Sequence, residues 1–276
     1  MKKYRKPHRV KKKKSIFRSR FFWLFILILI FLGGIFYLIS FSSFFQIKEI
    51  KILGNQKISS ETLENSIKKE IVRKIVFYNS KSIFLAQLNK IQKNLLKEYP
   101  QAARADLKRI FPDKISLKIE ERKPIAIFCP ARQNFLEENL SGQAEGCFFL
   151  DREGIIFEPS GGVSNGAGLP KIVGNIDSLN LGEKALESNY LEYILEIKGK
   201  LAENQKLKIK EFIPSEKKLI VVTAEGWQIF FDPQGNIPDQ ILNLNLVLNE
   251  KIPPEKRGNL EYIDLRFGNK AYLKYR

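Results

Sequence analysis

The sequence predicts an α+β protein with a single membrane-spanning helix and two further domains, the first mixed and the second mostly antiparallel β with flanking helices. Three observations predict it. Residues 21–39 contain no charged residue, residues 44–122 show a strand, helix, helix, strand, strand order, and residues 123–276 carry mostly strand patterns. The predicted boundaries are a tail at 1–20, a transmembrane helix at 21–41, and domains at 44–122 and 123–276.

The uncharged run is long enough to cross a membrane once. As a helix it would extend roughly 28 Å, close to the ~30 Å hydrocarbon thickness of a bilayer. Trp23 and Tyr37 lie near its two ends, where such rings favour the headgroup zone. The run is longer than the apolar segment of a typical signal peptide and is followed by a poor cleavage site, so we expect an uncleaved anchor.

The tail before the run is strongly basic. It holds eleven Lys and Arg residues and no Asp or Glu, and so supplies most of the chain's formal charge of +17. Cations beside a span favour the cytoplasm, so we expect the N-terminus inside the cell and the rest of the chain outside. Their concentration next to a span also favours anionic lipid headgroups as the tail's partner over nucleic acid, which we do not expect to bind.

The first domain is bounded by strands. Residues 45–56 mix Ile and Phe with charged residues, which indicates a strand, and a slip in their alternation indicates a bulge or a change of face. Residues 102–111 and 114–121 predict two more strands, and the second of these alternates cleanly between apolar and polar residues.

Two helices are predicted between these strands. The first begins at the capping residues Ser59 and Ser60, and its apolar residues are spaced by four along the chain. The second is predicted to begin at a cap provided by Ser82 and to end at Pro100, which cannot continue a helix.

The second domain combines strand patterns with two helices. The helical patterns lie at 183–202 and from Ile237 to the prolines at 253 and 254. The strand patterns lie at 125–129, 147–150, 155–157, 206–213, 218–223 and 227–231, with a last strand within the closing residues 260–276. The Ser- and Gly-rich residues 159–168 predict an exposed connection.

The two cysteines lie in this second domain. Cys129 ends one predicted strand and Cys147 begins another. If these strands pair antiparallel, the thiols face each other across the base of a loop and a disulfide is geometrically reasonable in an oxidising compartment. The alternative is that both are small buried apolar residues.

Several motifs carry a resemblance to a known family. Residues 45–55 read F-x-I-K-x-I-x-I-x-G-N, Tyr99 and Pro100 end the second helix, and residues 109–126 read R-x-F-P-D-x-I-x-L-x-I-x-E-R-x-P-I-A. Residues 169–174, L-P-x-I-x-G, and residues 262–267, Y-I-D-L-R-F, follow in the second domain. These elements resemble the POTRA domain and the β-domain of the bacterial division protein family FtsQ, also called DivIB.

The resemblance implies a fold and a function. It implies that residues 44–122 form a POTRA domain and that the protein is a non-catalytic division scaffold at the septum. The chain departs from the family where Pro233 and the three residues after it replace a usual Leu-Gly pair, so the resemblance does not predict the turn that follows the Trp227 strand.

The sequence offers little for catalysis. The only histidine, His8, lies in the tail, so no Ser-His or Cys-His pair and no histidine metal ligand is expected outside the membrane. Two cysteines are too few for a Cys-rich zinc site, and the glycines near residue 165 lack the lysine spacing of a phosphate-binding loop. Adjacent carboxylates such as Glu120 and Glu121 point to opposite faces of a strand. We therefore expect no catalytic residue, metal or cofactor.

The end of the chain is the candidate partner site. A last strand often lies at a sheet edge, where its free backbone groups can accept a strand from another protein. We expect Arg266, Phe267, Tyr272 and Tyr275 to belong to such a contact. The resemblance implies that the partners are the coiled-coil proteins FtsB (DivIC) and FtsL, which link this family to septal cell-wall synthases.

Two other functions remain open from the sequence. A membrane-anchored wall enzyme would need a pocket with paired carboxylates, for which the sequence gives no sign. An envelope assembly or secretion factor would need repeated POTRA units or a β-barrel, and the sequence shows one such unit and no barrel-length series of strands.

Overall fold

The computed structural model describes residues 20–75, 78–131, 146–161, 168–174, 180–205 and 207–276. The predicted basic tail lies outside the described residues except for Arg20, and so does most of the predicted connection at 159–168. The chain forms two compact units. The first lies within Met1–Asn55, Ser59–Leu95 and Asp106–Lys118, and the second within Gln56–Ile58, Leu96–Ala105 and Ile119–Arg276.

The helices and strands follow one another as an α+β chain. The helices are α1 Arg20–Phe41, α2 Ser60–Ile71, α3 Leu88–Glu98, α4 Ser188–Gln205 and α5 Ile237–Glu250. The strands are β1 Glu49–Leu53, β2 Arg73–Ile75, β3 Tyr78–Ser80, β4 Ala102–Ile110, β5 Lys114–Glu121, β6 Ala126–Pro130, β7 Phe148–Leu150, β8 Ile156–Pro159, β9 Lys171–Gly174, β10 Ile209–Pro214, β11 Leu219–Thr223, β12 Gln228–Phe231, β13 Leu260–Phe267 and β14 Lys270–Tyr275.

The apolar run forms one helix, as predicted. α1 covers 22 residues and is long and apolar enough to cross a membrane. Most of its large side chains are exposed, which suits a helix whose solvent is lipid because the hydrocarbon tails cover apolar side chains. Within the residues that the structure describes, α1 is the one candidate transmembrane helix, and it lies near the N-terminus.

The predicted strand, helix, helix, strand, strand order is present, with corrections. β1, β5 and β4 form a three-stranded sheet in that order, and β1 pairs parallel with β5. β1 is shorter than the predicted 45–56 strand, because the earlier residues form only an isolated bridge between Gln46 and Ser82. The hairpin of β2 and β3 was not predicted. α3 begins at Leu88 rather than after Ser82, whose hydroxyl instead donates to the carbonyl of Ile39.

The second unit is built on a nine-stranded sheet. The strand order is β14-β13-β12-β11-β10-β9-β6-β7-β8, and most neighbouring pairs are antiparallel. Three pairs are parallel: β12 with β13, β9 with β10, and β6 with β9. The sheet is therefore mixed but mostly antiparallel, as the sequence predicts.

One hydrophobic core joins the two long helices of this unit to the sheet. α4 contributes Leu191, Ile194, Ile197 and Leu201, and α5 contributes Ile241, Leu244 and Leu248. The sheet contributes Ile229 and Phe231 of β12 to the same core, together with Trp227, which directly precedes that strand. α5 begins as the sequence pattern predicts, because the side chain of Asn236 accepts a hydrogen bond from the backbone N–H of Asp239. The turn before α5, where the chain departs from the family pattern, therefore ends in a helix cap at Asn236.

The end of the chain contains the predicted strand motif at 262–267 within β13 and a second strand, β14, that the sequence analysis did not separate from it. It forms the hairpin β13–β14, in which the strands pair antiparallel around a turn at Gly268, whose φ is 63°. Such a conformation strains any residue with a Cβ, so glycine suits it. The side-chain amide of Asn243 on α5 donates to the carbonyl of Gly268 at 2.9 Å and holds the turn against the helix.

Glu121, at the end of β5, fastens the segment that leads into α2. Its carboxylate accepts hydrogen bonds from the backbone N–H groups of Gln56, Lys57 and Ile58 at 2.8–3.0 Å. Partial burial alone would raise the pKa of Glu121, but these three donors favour the ionised form and lower the pKa below its usual value. Glu121 is therefore a structural anchor rather than one of a catalytic pair.

Replacing Glu121 with Gln is expected to lower the free energy of unfolding by about 1–2 kcal/mol near neutral pH, because three backbone donors lose a charged acceptor. The pKa of Glu121 is lower in the folded state, so its stabilisation is present above the unfolded value of ~4.3 and is lost as pH falls through the folded value. Urea denaturation of Glu121→Gln and wild type should show a gap at about pH 7 that shrinks by about pH 3. The exposed neighbour Glu120→Gln is the control, and a gap that does not change with pH would contradict this role.

Candidate partner-binding edge

β14 is the last strand of the chain and an outer strand of the large sheet. In the described part of the chain it pairs on one side, with β13, and has no strand on its other side. An edge strand leaves alternate N–H and C=O groups free to bond another strand. β14 also carries Lys270 and Lys274, and lysines on an edge discourage indiscriminate pairing. The edge is thus open but charged.

Two aromatic rings meet at the β13–β14 turn. Phe267 and Tyr272 lie edge to face with their centroids 5.0 Å apart, and they remain 54% and 51% exposed. Neither ring is needed to fill the core. Large half-exposed aromatic rings in contact are typical of the residues that anchor a protein partner.

Arg266 is held in place beside these rings. Its guanidinium makes two hydrogen bonds to the carboxylate of Asp264, at 2.9 and 2.7 Å, and lies 5.6 Å from the centre of the Phe267 ring. The hydrogen bond to Asp264 raises the pKa of Arg266. Because Asp264 is itself buried, its charge is neutralised within the pair and Arg266 is preorganised rather than free to move. Arg266, Phe267 and Tyr272 are called the edge cluster below.

Tyr275 lies apart from the edge cluster. It follows Tyr272 by three residues, and the alternation of a strand places side chains three residues apart on opposite faces. Its side chain is 46% exposed, and it pairs in register with Leu260. The structure therefore brings three of the four predicted residues together and leaves Tyr275 at the far end of the strand.

A groove runs beside the edge, between α5 and β14. Its volume is about 400 Å³. Leu246 and Val247 from α5 and Ala271 and Tyr272 from β14 form the apolar part of its lining, and the rest is polar or charged and includes Glu250. Leu246 is nearly half exposed. Sequence reasoning assigned the helix from its buried stripe and missed the groove. The signal for the groove was Leu246, an apolar residue of α5 that lies outside its buried stripe.

The cysteines and the potential ligands lie elsewhere in the second unit. Cys129 and Cys147 form a disulfide, in the arrangement of β6 and β7 that the sequence suggested. Among the described residues, no group of three or more His, Cys, Asp and Glu side chains comes together as metal ligands would. The edge offers backbone groups, rings and cations, which are means of binding a protein rather than of catalysing a reaction.

Comparison with protein families identifies both halves of the chain. The model of an FtsQ-type POTRA domain matches residues 45–122, and the model of the C-terminal domain of the cell division protein FtsQ/DivIB matches residues 142–266. No curated protein matches the chain. The second match ends at Arg266, so Phe267, Tyr272 and Tyr275 lie beyond it and their assignment depends on the geometry of the edge.

The two matched regions follow one another after the apolar helix α1, and together they span most of the chain. The family is one of non-catalytic division scaffolds. The chain belongs to the FtsQ/DivIB family of cell division proteins.

Proposed function

We propose that this protein is a non-catalytic scaffold of the division machinery, anchored by α1 with its N-terminus in the cytoplasm and both units outside. Family membership supports a role in division, and the eleven cations within residues 1–20 support the orientation. The protein acts at the division septum. Its basic tail contacts anionic lipid headgroups on the cytoplasmic side.

The observation that carries the proposal is the free edge of β14 beside the edge cluster. A partner strand adds to β14 through main-chain hydrogen bonds, which give affinity, while side-chain contacts on alternate positions give specificity. Phe267 and Tyr272 contact one face of that strand. An apolar side chain of the partner fills the groove beside Leu246.

The charge of the edge restricts the partner strand. β14 and the residue after it carry Lys270, Lys274 and Arg276 and no acidic residue. A strand with acidic residues is therefore favoured over a basic one, and its association should weaken as salt is added. The partners are FtsB/DivIC-like and FtsL-like coiled-coil proteins, which connect the scaffold to septal peptidoglycan synthases.

Depletion of the protein tests the proposed function in cells. Cells without it should form filaments with unfinished septa, because the synthases lose their link to the division site. Wild-type protein should restore septation, and so should Leu181→Ala, which removes an exposed apolar side chain of the second unit away from β14. Normal septation after depletion, with a defect in secretion instead, would contradict the proposal and favour an assembly factor.

A further inference from the structure

The end of α1 is fastened to the body of the first unit. The hydroxyl of Ser82 donates to the carbonyl of Ile39 at 2.7 Å, and the side-chain amide of Gln46 donates to the carbonyl of Ser40 at 3.0 Å. The hydroxyl of Ser80 also donates to Ser40. The last carbonyls of a helix have no partner within the helix, so side chains of the unit supply the missing donors. The unit is thus joined to the apolar helix by a rigid connection.

Four aromatic rings follow directly from this connection. Phe44, three residues after the end of α1, contacts Phe45 with ring centroids 5.0 Å apart. Phe45 contacts Phe84 at 5.2 Å, and Phe84 contacts Phe111 at 5.3 Å. These four residues, called the aromatic row below, come from three separate segments of the chain and form one continuous line of rings.

Hydrogen bonds to backbone carbonyl groups hold the three segments of the aromatic row together. The N–H of Ile83 donates to the carbonyl of Phe45 at 2.9 Å, beside Phe84. The guanidinium of Arg109 donates to the carbonyl of Ile83 at 2.7 Å and ties in the segment that carries Phe111. The N–H of Lys48 donates to the carbonyl of Asp113 at 2.9 Å from the other side. The row is therefore a fixed feature of the fold.

The aromatic row is unusually exposed for rings that are held so firmly. Phe44 is 59%, Phe84 43% and Phe111 58% exposed, and Ile110 adds a further exposed apolar side chain. Tyr78, also largely exposed, lies edge to face against Phe41, the last residue of α1, at 6.1 Å. A contiguous exposed apolar patch of this kind marks a surface that contacts something other than water.

We propose that the aromatic row lies in the headgroup zone of the membrane that α1 crosses, so that the first unit rests on the bilayer surface. The aromatic row begins directly after the membrane helix. Phe44 follows Phe41 by three residues, which places it within about 11 Å of the helix end along the chain. The polar zone on each side of the hydrocarbon is roughly 5–8 Å thick, and aromatic rings favour it.

The proposal depends on α1 crossing the membrane and not on the partner contacts of β14. Resting on the bilayer would fix the tilt of the first unit relative to the membrane, because α1 and the aromatic row would then both contact lipid. A flexible tether would leave that tilt free. The two cases differ in whether Phe111, far from α1 in sequence, contacts lipid at all.

Quenching of tryptophan fluorescence by brominated lipid tests the proposal. The full chain with Trp23→Phe is the parent, and Trp227, which is fully buried, stays as a common reference for folding. Phe111→Trp and Leu53→Trp are made in this parent and reconstituted in vesicles of phosphatidylcholine and phosphatidylglycerol, with or without bromine high on the acyl chains. Leu53 is the matched control, because its side chain is as exposed as that of Phe111 but lies at the far end of β1. That end is about 13 Å along the strand from Glu49, the residue with which β1 begins after the membrane helix.

The emission added by Phe111→Trp should fall at least about twofold in brominated vesicles, since an interfacial ring lies next to the quencher, while that added by Leu53→Trp should change little. Phe84→Trp gives a second readout of the aromatic row if Phe111→Trp shifts the emission of Trp227. Equal quenching at positions 111 and 53, or none at 111 and 84, would overturn the proposal. A change at Phe111→Trp that needs an added protein partner would also overturn it and assign the row to a protein contact.

Discussion

Replacing Arg122 with Met is expected to lower the free energy of unfolding of the second unit by about 3–5 kcal/mol, the cost typical of removing one partner from a buried ion pair. The side chains of Arg122 and Asp151 are 10% and 7% exposed, and the guanidinium donates to the carboxylate. Arg122 also donates to the carbonyl of Pro100 at 3.1 Å. Without it, the Asp151 charge is left buried with only the backbone donors of its own turn.

Urea denaturation followed by the fluorescence of buried Trp227 measures this effect. Met keeps most of the aliphatic stem of Arg122, so the loss reports the charge rather than a cavity. Arg152→Met is the matched control: it breaks an ion pair with Glu192 at 3.4 Å whose two side chains are 82% and 59% exposed, and such pairs contribute about 0–1 kcal/mol. Equal destabilisation by the two substitutions would contradict the role given to Arg122.

The second large effect is expected at the edge cluster. Replacing both Phe267 and Tyr272 with Ala should weaken binding of an FtsB/DivIC-like extracytoplasmic segment by about 30-fold or more, which corresponds to about 2 kcal/mol, the usual loss for an aromatic anchor. The free energy of unfolding should change little, because both rings are half exposed and lie outside the buried core.

Titration of the immobilised partner segment with each variant measures the affinity. Leu181→Ala serves as the control, since it removes a similarly exposed apolar side chain from a loop of the same unit. Tyr275→Ala, on the opposite face of β14, should weaken binding less than Tyr272→Ala. Unchanged affinity in the double variant would remove the edge cluster from the interface.

Some elements of the fold can be predicted from the sequence alone, and others cannot. β5 was predicted with its observed bounds because Ile115, Leu117 and Ile119 alternate strictly and are all buried. At the end of the chain the sequence analysis assigned a strand motif at 262–267 and did not use Gly268 and Asn269, which are a turn signal for a hairpin. The pairing of β13 with β14 was therefore missed.

Other features depend on partners that are distant in sequence. Ser82 has the chemistry of a helix cap, and it serves as a donor to the end of α1, 43 residues earlier. Glu121 and Arg122 looked like part of a family motif, and their partners lie up to 65 and 31 residues away, respectively. No periodicity in a single sequence shows which distant backbone groups a side chain will meet. The groove beside β14 was missed for the same reason.

Hydrogen exchange in β14 is the sharpest test of whether a partner adds a strand to this edge. If a partner adds a strand to the free edge, the amides of β14 that point away from β13 change from exchanging with water to bonding the partner backbone. Their exchange should slow by at least about tenfold when the FtsB/DivIC-like segment is bound, while amides at the opposite edge strand, β8, should be unchanged. Binding that leaves exchange in β14 unaltered would show that the partner contacts side chains elsewhere, and the strand-addition account would be wrong.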